Sequence, residues 1–171
     1  MEKKSNIVLI GMPGAGKSTL GVVLAKILGK DFLDCDILIQ NQYEKTLQKL
    51  IDENGAEGFI EIEGSVLSSL EASNAIVSTG GSAIYSDAAM KHLAELGPIV
   101  YLKVSLEELT ERLGGLHERG VVMKNGMGMS LADLYEERIP LYEKYAQITI
   151  EIEGLSVRDA ARLCVDRLSL L

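Results

Sequence analysis

The chain has 171 residues, of which 47% are hydrophobic, and a formal net charge of −8. This length suits one domain over residues 1–171, and the acidic charge argues against binding along a nucleic-acid backbone. No apolar run approaches the roughly 20 residues needed to span a bilayer, and no secretory signal precedes the first predicted strand. We therefore expect a cytoplasmic protein that binds neither nucleic acid nor membrane, and we separately expect a monomer.

Short apolar runs alternate with stretches of helical periodicity, which predicts a parallel sheet with helices on both faces. In the first half of the chain, the predicted elements are a strand over Asn6–Ile10, a helix over Lys17–Leu28, a strand over Phe32–Asp34, helices over Ile37–Glu53 and Glu57–Leu70, and a strand over Ala75–Ser78. In the second half they are helices over Ser86–Leu96, Leu106–Leu113, Leu131–Tyr145 and Val157–Leu168, with strands over Ile99–Val104 and Ile148–Ile152. Pro140 is expected to kink or divide its helix.

The segment 114–130 breaks this alternation. It is rich in glycine and methionine and shows little apolar periodicity. Because it follows a predicted helix and carries Arg119, we expect it to form a mobile lid.

A phosphate-binding pattern joins the first predicted strand to the first helix. Residues Gly11–Ser18 match GxxxxGK[ST], in which glycines let backbone N–H groups turn toward a phosphate at a helix N-terminus. We expect Lys17 to reach the β- and γ-phosphates of ATP and the Ser18 hydroxyl to bind Mg²⁺. The residues expected to bind the nucleotide here are Gly11, Gly14, Ala15, Gly16, Lys17, Ser18 and Thr19.

This loop alone admits kinases, ATPases, GTPases and nucleotide-binding regulators. The chain lacks suitably placed NKxD and DxxG motifs, which argues against a GTPase, and motor or transporter ATPases are generally larger. The remaining class is a kinase of small molecules or nucleotides.

Two acids, Asp34 and Asp36, follow the second predicted strand. Strand alternation would point both carboxylates to the same side. A kinase needs one carboxylate to hold hydrated Mg²⁺ and another to orient or deprotonate the acceptor hydroxyl. The alternative is that the two acids simply end an edge strand in solvent.

Taken together, the motifs resemble those of the shikimate kinase family. The resemblance covers almost the whole chain and is carried by Gly11–Thr19, the acidic pair at 34–36, Gly58-Phe59 with Glu63, Ser78-Thr79-Gly80-Gly81, residues 112–115, Arg119 and residues 137–142. It implies a three-layer P-loop fold with a five-stranded parallel sheet in the order 2-3-1-4-5 and a lid that closes over substrate. It also implies ATP- and Mg²⁺-dependent phosphorylation of the 3-hydroxyl of shikimate, a step of aromatic amino-acid biosynthesis.

The resemblance also implies roles for acids and glycines, with the substrate-binding segment at about 34–63. Asp34 would lie near Mg²⁺ through water, and Asp36 would contact the acceptor hydroxyls and orient the attacked one. Gly80 and Gly81 would bring backbone amides to the substrate.

Three arginines receive roles from the same resemblance. Arg119 would reach from the lid toward the transferred phosphate and the substrate, and Arg138 would bind the substrate carboxylate through its planar fork. Arg112 would lie against the adenine, although a solvated helix charge remains an open alternative.

The chain departs from the family pattern at three positions. Ile60 stands where family members carry a second carboxylate-binding arginine, which Glu63 supports. Ser82 replaces a third glycine, and Gly120 replaces a proline after the lid arginine. Either the chain is a shikimate kinase whose carboxylate is held by Arg138 and another neighbour, or it phosphorylates another small hydroxylated metabolite. A regulatory module that binds nucleotide without catalysis is the third possibility.

Overall fold

We describe the protein from a computed structural model, in which residues 6–113 and 129–171 are placed. Within these residues, five strands form one sheet in which every neighbouring pair is parallel. The strands are β1 (Ile7–Ile10), β2 (Asp31–Asp34), β3 (Ala75–Ser78), β4 (Ile99–Lys103) and β5 (Ile148–Glu151). Their order, β2-β3-β1-β4-β5, confirms the predicted fold.

Helices follow each strand, as the alternation predicts. They are α1 (Lys17–Leu28), α2 (Cys35–Tyr43), α3 (Leu47–Ser68), α4 (Asp87–Leu96), α5 (Leu106–Arg112), α6 (Leu131–Tyr145) and α7 (Val157–Leu168), with one 3₁₀ turn at Ala83–Tyr85. Within the described ranges, no helix is long and apolar enough to cross a membrane.

The single helix predicted over Ile37–Glu53 is wrong. The chain leaves the first helix at Glu44, whose φ of 53° lies in the left-handed region. Thr46 then begins α3 by accepting a hydrogen bond on its hydroxyl from the Lys49 backbone N–H at 3.2 Å. The predicted separation near Gly55 is a kink inside α3, since this residue has φ 73° and ψ 175°. By contrast, α6 continues through Pro140 without being divided.

The main core lies between the sheet and the helices on its two faces. All four residues of β1 and of β3 are buried, as expected for central strands covered on both sides. Helix α1 packs close to the sheet at Gly21, where a Cβ would come within 2.6 Å of the Phe32 ring. This contact sets the position of the helix that begins at the phosphate loop.

A second, smaller apolar cluster joins α2 to the two parts of the bent helix α3. Its buried members are Ile39, Leu50, Phe59 and Val66. Burying each such side chain contributes about 1.5–3 kcal/mol, so the cluster fixes the helices that lie beyond the carboxyl ends of β2 and β3. Ile60 is partly buried against the same cluster.

Candidate active site

The phosphate loop turns between β1 and α1 through glycines with left-handed backbone angles. Gly14 has φ 81° and Gly16 has φ 90°. Gly16 occupies the N-cap position of α1, where it has no side chain to cap the first turn. The backbone N–H groups at this helix N-terminus are therefore available to an anion.

The Lys17 side chain is buried within the same loop. Its Nζ donates hydrogen bonds to the carbonyl oxygens of Gly11 at 2.7 Å and Met12 at 2.9 Å, and the residue is 8% exposed. Burial lowers the pKa of the Lys17 ammonium group to about 8, although the neighbouring Asp36 carboxylate opposes this shift. The structure thus holds a poorly solvated cation beside the loop amides.

Asp34 connects the phosphate loop to the start of α2. Its Oδ2 accepts a hydrogen bond from Ser18 Oγ at 2.7 Å, and its Oδ1 accepts from the backbone N–H of Asp36 at 2.9 Å and of Ile37 at 3.3 Å. Asp34 is therefore the last residue of β2 and the N-cap of α2.

The geometric reason predicted for the acidic pair is wrong. Asp36 does not continue the strand but lies in the first turn of α2, so strand alternation does not orient its carboxylate. Both acids still face the loop region, because the Asp34 cap turns the chain immediately after the strand. Burial, followed by the negative charge of Asp34, raises the pKa of Asp36.

The Ser18 hydroxyl and the Asp34 carboxylate suit a magnesium ion. Mg²⁺ keeps several waters and is usually bound through one or two carboxylates together with substrate phosphates. No group of three or more His, Cys, Asp or Glu side chains with metal-binding geometry occurs in residues 6–113 and 129–171. A magnesium ion at this position would therefore need phosphate oxygens and water to complete its coordination.

A cavity of about 240 Å³, which we call the central cavity, opens beside these groups. The predicted site residues that line it are Gly14, Gly16, Lys17, Ser18, Thr19, Asp36, Gly80, Gly81 and Arg138. The structure thus brings together residues from β1–α1, α2, the end of β3 and α6. Gly11 and Ala15 are buried and do not line this cavity.

Gly80 and Gly81 lie where side chains from other elements approach the backbone. A Cβ on Gly80 would lie 2.8 Å from Asp36 Oδ1, and a Cβ on Gly81 would lie 2.9 Å from Arg138 Nη1. Both distances are too short for real contacts. Glycine is needed at these positions for the acid and the arginine to reach the cavity wall.

Arg138 is fully buried and is held by tyrosines. Its Nε donates to the Tyr85 hydroxyl oxygen at 3.2 Å, and its guanidinium lies 5.3 Å from the centre of the Tyr85 ring. The Tyr85 hydroxyl in turn donates to Glu137 Oε2 at 2.5 Å, and the Tyr142 hydroxyl donates to the Gly81 carbonyl oxygen at 2.7 Å. Neither tyrosine was assigned a role from the sequence, although the i,i+4 spacing of 138 and 142 places Tyr142 on the arginine's helix face.

Glu63 and Ser82 form a further buried pair that the sequence analysis did not connect. Ser82 Oγ donates to Glu63 Oε1 at 2.6 Å, and Glu63 is 1% exposed. Glu63 Oε2 has no hydrogen-bond partner among the described residues. Burial raises the pKa of Glu63 to about 7, against the opposing effect of the Ser82 hydrogen bond.

Arg112 is hydrogen-bonded to backbone carbonyl groups of the phosphate loop. Its Nη1 donates to the carbonyl oxygens of Gly14 at 3.2 Å and Ala15 at 3.3 Å, and its Nη2 donates to Glu108. A second cavity of about 220 Å³ opens beside it and includes the half-exposed apolar residues Leu155 and Val157. This arrangement offers a partly apolar surface next to the loop.

Comparison with known proteins identifies the group to which this site belongs. A sequence profile of shikimate kinase matches residues 13–169. The chain belongs to the shikimate kinase family. It is 34% identical over 172 residues to a shikimate kinase of Thiobacillus denitrificans, covering 100% of this chain and 94% of the relative. It is 40% identical over 141 residues to a shikimate kinase of Clostridium botulinum, covering 81% and 83% of the two chains.

Solved structures of the shikimate kinase family also match. A shikimate kinase from Acinetobacter baumannii in complex with shikimate has a TM-score of 0.81 at 30% identity, covering 96% of this chain and 92% of the other. The enzyme from Aquifex aeolicus has a TM-score of 0.79 at 27% identity, covering 96% of each chain. A gluconokinase from Sinorhizobium meliloti, at 20% identity and a TM-score of 0.54, shares only the fold. The predicted assignment to this phosphotransferase family is confirmed.

The first departure from the shikimate kinase pattern lies outside the central cavity. Ile60 packs against the apolar cluster of α2 and α3 rather than lining the cavity. Ser82, the second departure, lines the cavity and binds Glu63. In the described part of the chain, Lys17 and Arg138 are the cations that line the cavity.

The predicted lid lies largely outside the described residues. Residues 114–128, which include Arg119 and Gly120, are outside the described residues. Ser130 is described, and it begins α6 with a capping box to Asp133. The roles assigned to the lid and to Arg119 stay predictions.

Proposed function

We propose that this chain is a shikimate kinase, which transfers the γ-phosphoryl group of ATP to the 3-hydroxyl of shikimate in the presence of Mg²⁺. The observation that carries the proposal is the central cavity, where the phosphate loop, the Asp36 carboxylate and the buried Arg138 guanidinium meet. A phosphate donor, an acceptor hydroxyl and an acceptor carboxylate each have a chemically matched group there. The A. baumannii relative, whose structure contains shikimate, supports the choice of acceptor.

The phosphate loop would bind the triphosphate through backbone N–H groups and Lys17. In the structure, Lys17 Nζ donates to the carbonyl oxygens of Gly11 and Met12, and these are neutral acceptors. Phosphate oxygens carry charge and form stronger hydrogen bonds, so the ammonium would move to the β- and γ-phosphates when ATP binds. Ser18 and Asp34 would hold Mg²⁺, which neutralises charge on the phosphates when bound.

Asp36 would orient the acceptor and take up its proton. The 3-hydroxyl oxygen forms a bond to the γ-phosphorus while the bond from that phosphorus to the β–γ bridging oxygen breaks. The hydroxyl proton passes to the Asp36 carboxylate. Burial raises the pKa of this carboxyl, which makes it a stronger base than a solvated aspartate. Positioning and charge neutralisation supply most of the catalysis in such transfers, and Arg119 of the lid would add positive charge at the γ-phosphoryl group.

Arg138 would bind the acceptor carboxylate. Its guanidinium is fully buried, and its orientation is fixed by the hydrogen bond to Tyr85. A guanidinium presents parallel N–H donors that match the two oxygens of a carboxylate. The backbone amides of Gly80 and Gly81 would bind the acceptor from the neighbouring wall.

The second cavity would receive the adenine. Leu155 and Val157 provide apolar contacts for a flat ring, and Arg112 lies between this cavity and the phosphate loop. We also propose that the chain acts as a monomer.

A second candidate function is phosphorylation of another small hydroxylated acid or sugar. It is favoured by Ile60, which leaves Lys17 and Arg138 as the described cations of the cavity. Substituting Ile60→Arg discriminates between the candidates, because a sharp fall in the KM for shikimate would show that the natural cavity is not adapted to this acceptor.

An ADP-release assay against a panel of hydroxy acids and sugars tests the proposal. We expect shikimate to give the highest kcat/KM, and Asp36→Ala to lower kcat by about 100-fold or more. Asp166→Ala, on the exposed face of α7, is the matched control and should leave kcat unchanged. ATP hydrolysis that no acceptor accelerates would instead favour a nucleotide-binding regulator.

A further inference from the structure

Glu63 lines the central cavity, and only one of its two carboxyl oxygens has a hydrogen-bond partner among the described residues. Oε1 accepts the hydrogen bond from Ser82, and Oε2 has no partner among the described residues. The residue is 1% exposed but lines the cavity wall. Buried carboxyl oxygens are nearly always hydrogen-bonded in folded proteins, so a buried oxygen without a partner, on a residue that lines a cavity, indicates a place for a ligand.

The unused oxygen lies beside the groups assigned to the acceptor. Glu63 Oε2 and Asp36 Oδ1 both approach the point that a Cβ on Gly80 would occupy, Asp36 to within 2.8 Å and Glu63 more closely. Arg138 Nη1 lies 2.9 Å from the point that a Cβ on the next residue, Gly81, would occupy. An acceptor bound between Asp36 and Arg138 would therefore lie beside Glu63.

The surroundings favour the protonated form of Glu63 near neutral pH. Burial raises its pKa to about 7, and the Asp36 carboxylate acts in the same direction. The Ser82 hydrogen bond, Arg138 and Lys17 oppose this shift. Two further titratable groups, Cys35 and Tyr142, are close enough for the Glu63 charge to raise their own pKa values, and both pKa values are also raised by burial, so these groups stay neutral.

We propose that Glu63, held by Ser82, is a specificity-determining residue whose Oε2–H donates a hydrogen bond to the carboxylate of the acceptor beside Arg138. This inference rests on the proposed function, since it takes the acceptor to be a hydroxy acid. The acid form binds an anionic acceptor, and the ionised form repels it. Acceptor affinity therefore falls as the pH rises through neutrality, while Arg138 stays charged throughout.

The test measures the KM for shikimate from about pH 6 to about pH 8.5 in four proteins. In the natural chain we expect the KM to rise by about tenfold or more, since the acid form becomes a minor species above neutral pH. Glu63→Gln retains an uncharged donor at this position and should show a KM that changes by less than about twofold. Glu61→Gln, an exposed glutamate on the same helix, is the matched control and should follow the natural profile.

Ser82→Ala tests the role of Glu63 through the pH at which the KM rises, which would not change if Glu63 were only structural. The Ser82 hydrogen bond favours the ionised form of Glu63, so its loss should shift the rise in KM to higher pH. The KM for ATP is measured in parallel as a control. It reports the titration of Lys17, a residue that is the same in all four proteins. An identical KM profile for Glu63→Gln and the natural chain would overturn this inference while leaving shikimate phosphorylation intact. A failure of the natural chain to phosphorylate shikimate at any pH would overturn the proposed function, and this inference with it.

Discussion

Asp34 Oδ2 accepts a hydrogen bond from Ser18 Oγ at 2.7 Å, which joins the end of β2 to the first turn of α1. The other oxygen of the same carboxylate caps α2 by accepting from the Asp36 backbone N–H. The Asp34 side chain thus connects Ser18, which is expected to bind Mg²⁺, to helix α2, which carries Asp36. A displacement at either end would be transmitted to the other.

The first prediction separates the charge of Asp34 from its role as a cap. Asp34→Asn keeps a capping oxygen but loses the charge, so the Mg²⁺ concentration for half-maximal activity should rise by about tenfold or more, with little change in melting temperature. Asp34→Ala should lose the cap as well and be destabilised by about 1 kcal/mol. Magnesium titrations and thermal unfolding provide the two readouts. Asp31→Asn, at the exposed start of β2, serves as control, and a magnesium curve for Asp34→Asn that overlays the natural one would contradict the assignment.

The second prediction concerns the cost of burying Lys17. Lys17→Ala should lower kcat by about 100-fold or more. Lys17→Met should nevertheless stabilise the nucleotide-free protein by about 1–3 kcal/mol at neutral pH, because the natural chain buries a charged ammonium whose pKa is lowered to about 8. Above about pH 8 the folded protein loses this proton before the unfolded chain does, so the natural chain gains stability and the difference should shrink. Chemical unfolding at several pH values measures it, and a Lys17→Met variant less stable than the natural chain at neutral pH would refute the argument.

The parts of the structure that could be predicted from sequence are those whose causes are local. The phosphate loop is set by glycines and a lysine within eight residues, and the strand and helix on either side are fixed by contiguous apolar patterns. The bounds predicted for α1, β3, α6 and α7 agree with the structure. The order of the strands was available only through the family resemblance, because apolar periodicity carries no information about which strands are neighbours.

The parts that could not be predicted depend on residues far apart in the chain or on unusual backbone angles. Ser82 binds Glu63 across 19 positions, and Arg138 binds Tyr85 across 53. Glu44 ends α2 with a positive φ that a glutamate rarely adopts, so no glycine or other typical turn residue in the sequence indicated the break between α2 and α3. Ser82 stands at a glycine position of the family pattern, and its hydrogen bond to Glu63 could not be inferred from that departure.

The third prediction tests whether Tyr85 positions Arg138 for the acceptor. Tyr85→Phe keeps the ring beside the guanidinium but removes the hydroxyl that accepts from Arg138 Nε. We expect the KM for shikimate to rise about three- to tenfold, as the loss of one hydrogen bond of ordinary net strength, about 0.5–1.5 kcal/mol, implies, with kcat changed by less than about twofold. Steady-state kinetics with shikimate as the varied substrate measure both constants. Tyr43→Phe, at the exposed end of α2, is the control, and an equal fall in kcat and kcat/KM for Tyr85→Phe would point to the transition state instead.

The fourth prediction measures the protonation of Glu63 without any substrate. Its pKa of about 7 in the folded protein exceeds the ordinary value of 4.5, so the folded state binds a proton more tightly than the unfolded chain does. The stability that this proton contributes is present in full below about pH 4.5 and is lost as the pH rises through about 7. Glu63→Gln should therefore be more stable than the natural chain by roughly 1–3 kcal/mol at about pH 8.

The pH dependence of that difference is the decisive quantity. The Glu63→Gln variant needs no new contact, because the introduced amide oxygen can accept from Ser82 as Glu63 Oε1 does. The advantage of Glu63→Gln should thus disappear as the pH falls from about 7 toward about 4.5, below which the natural glutamic acid is neutral in both states. Glu61→Gln, which is exposed, should show no such trend. A stability difference that stays constant over this range would mean that Glu63 is ionised in the folded protein, and the hydrogen bond from Ser82 would then be stabilising a buried carboxylate.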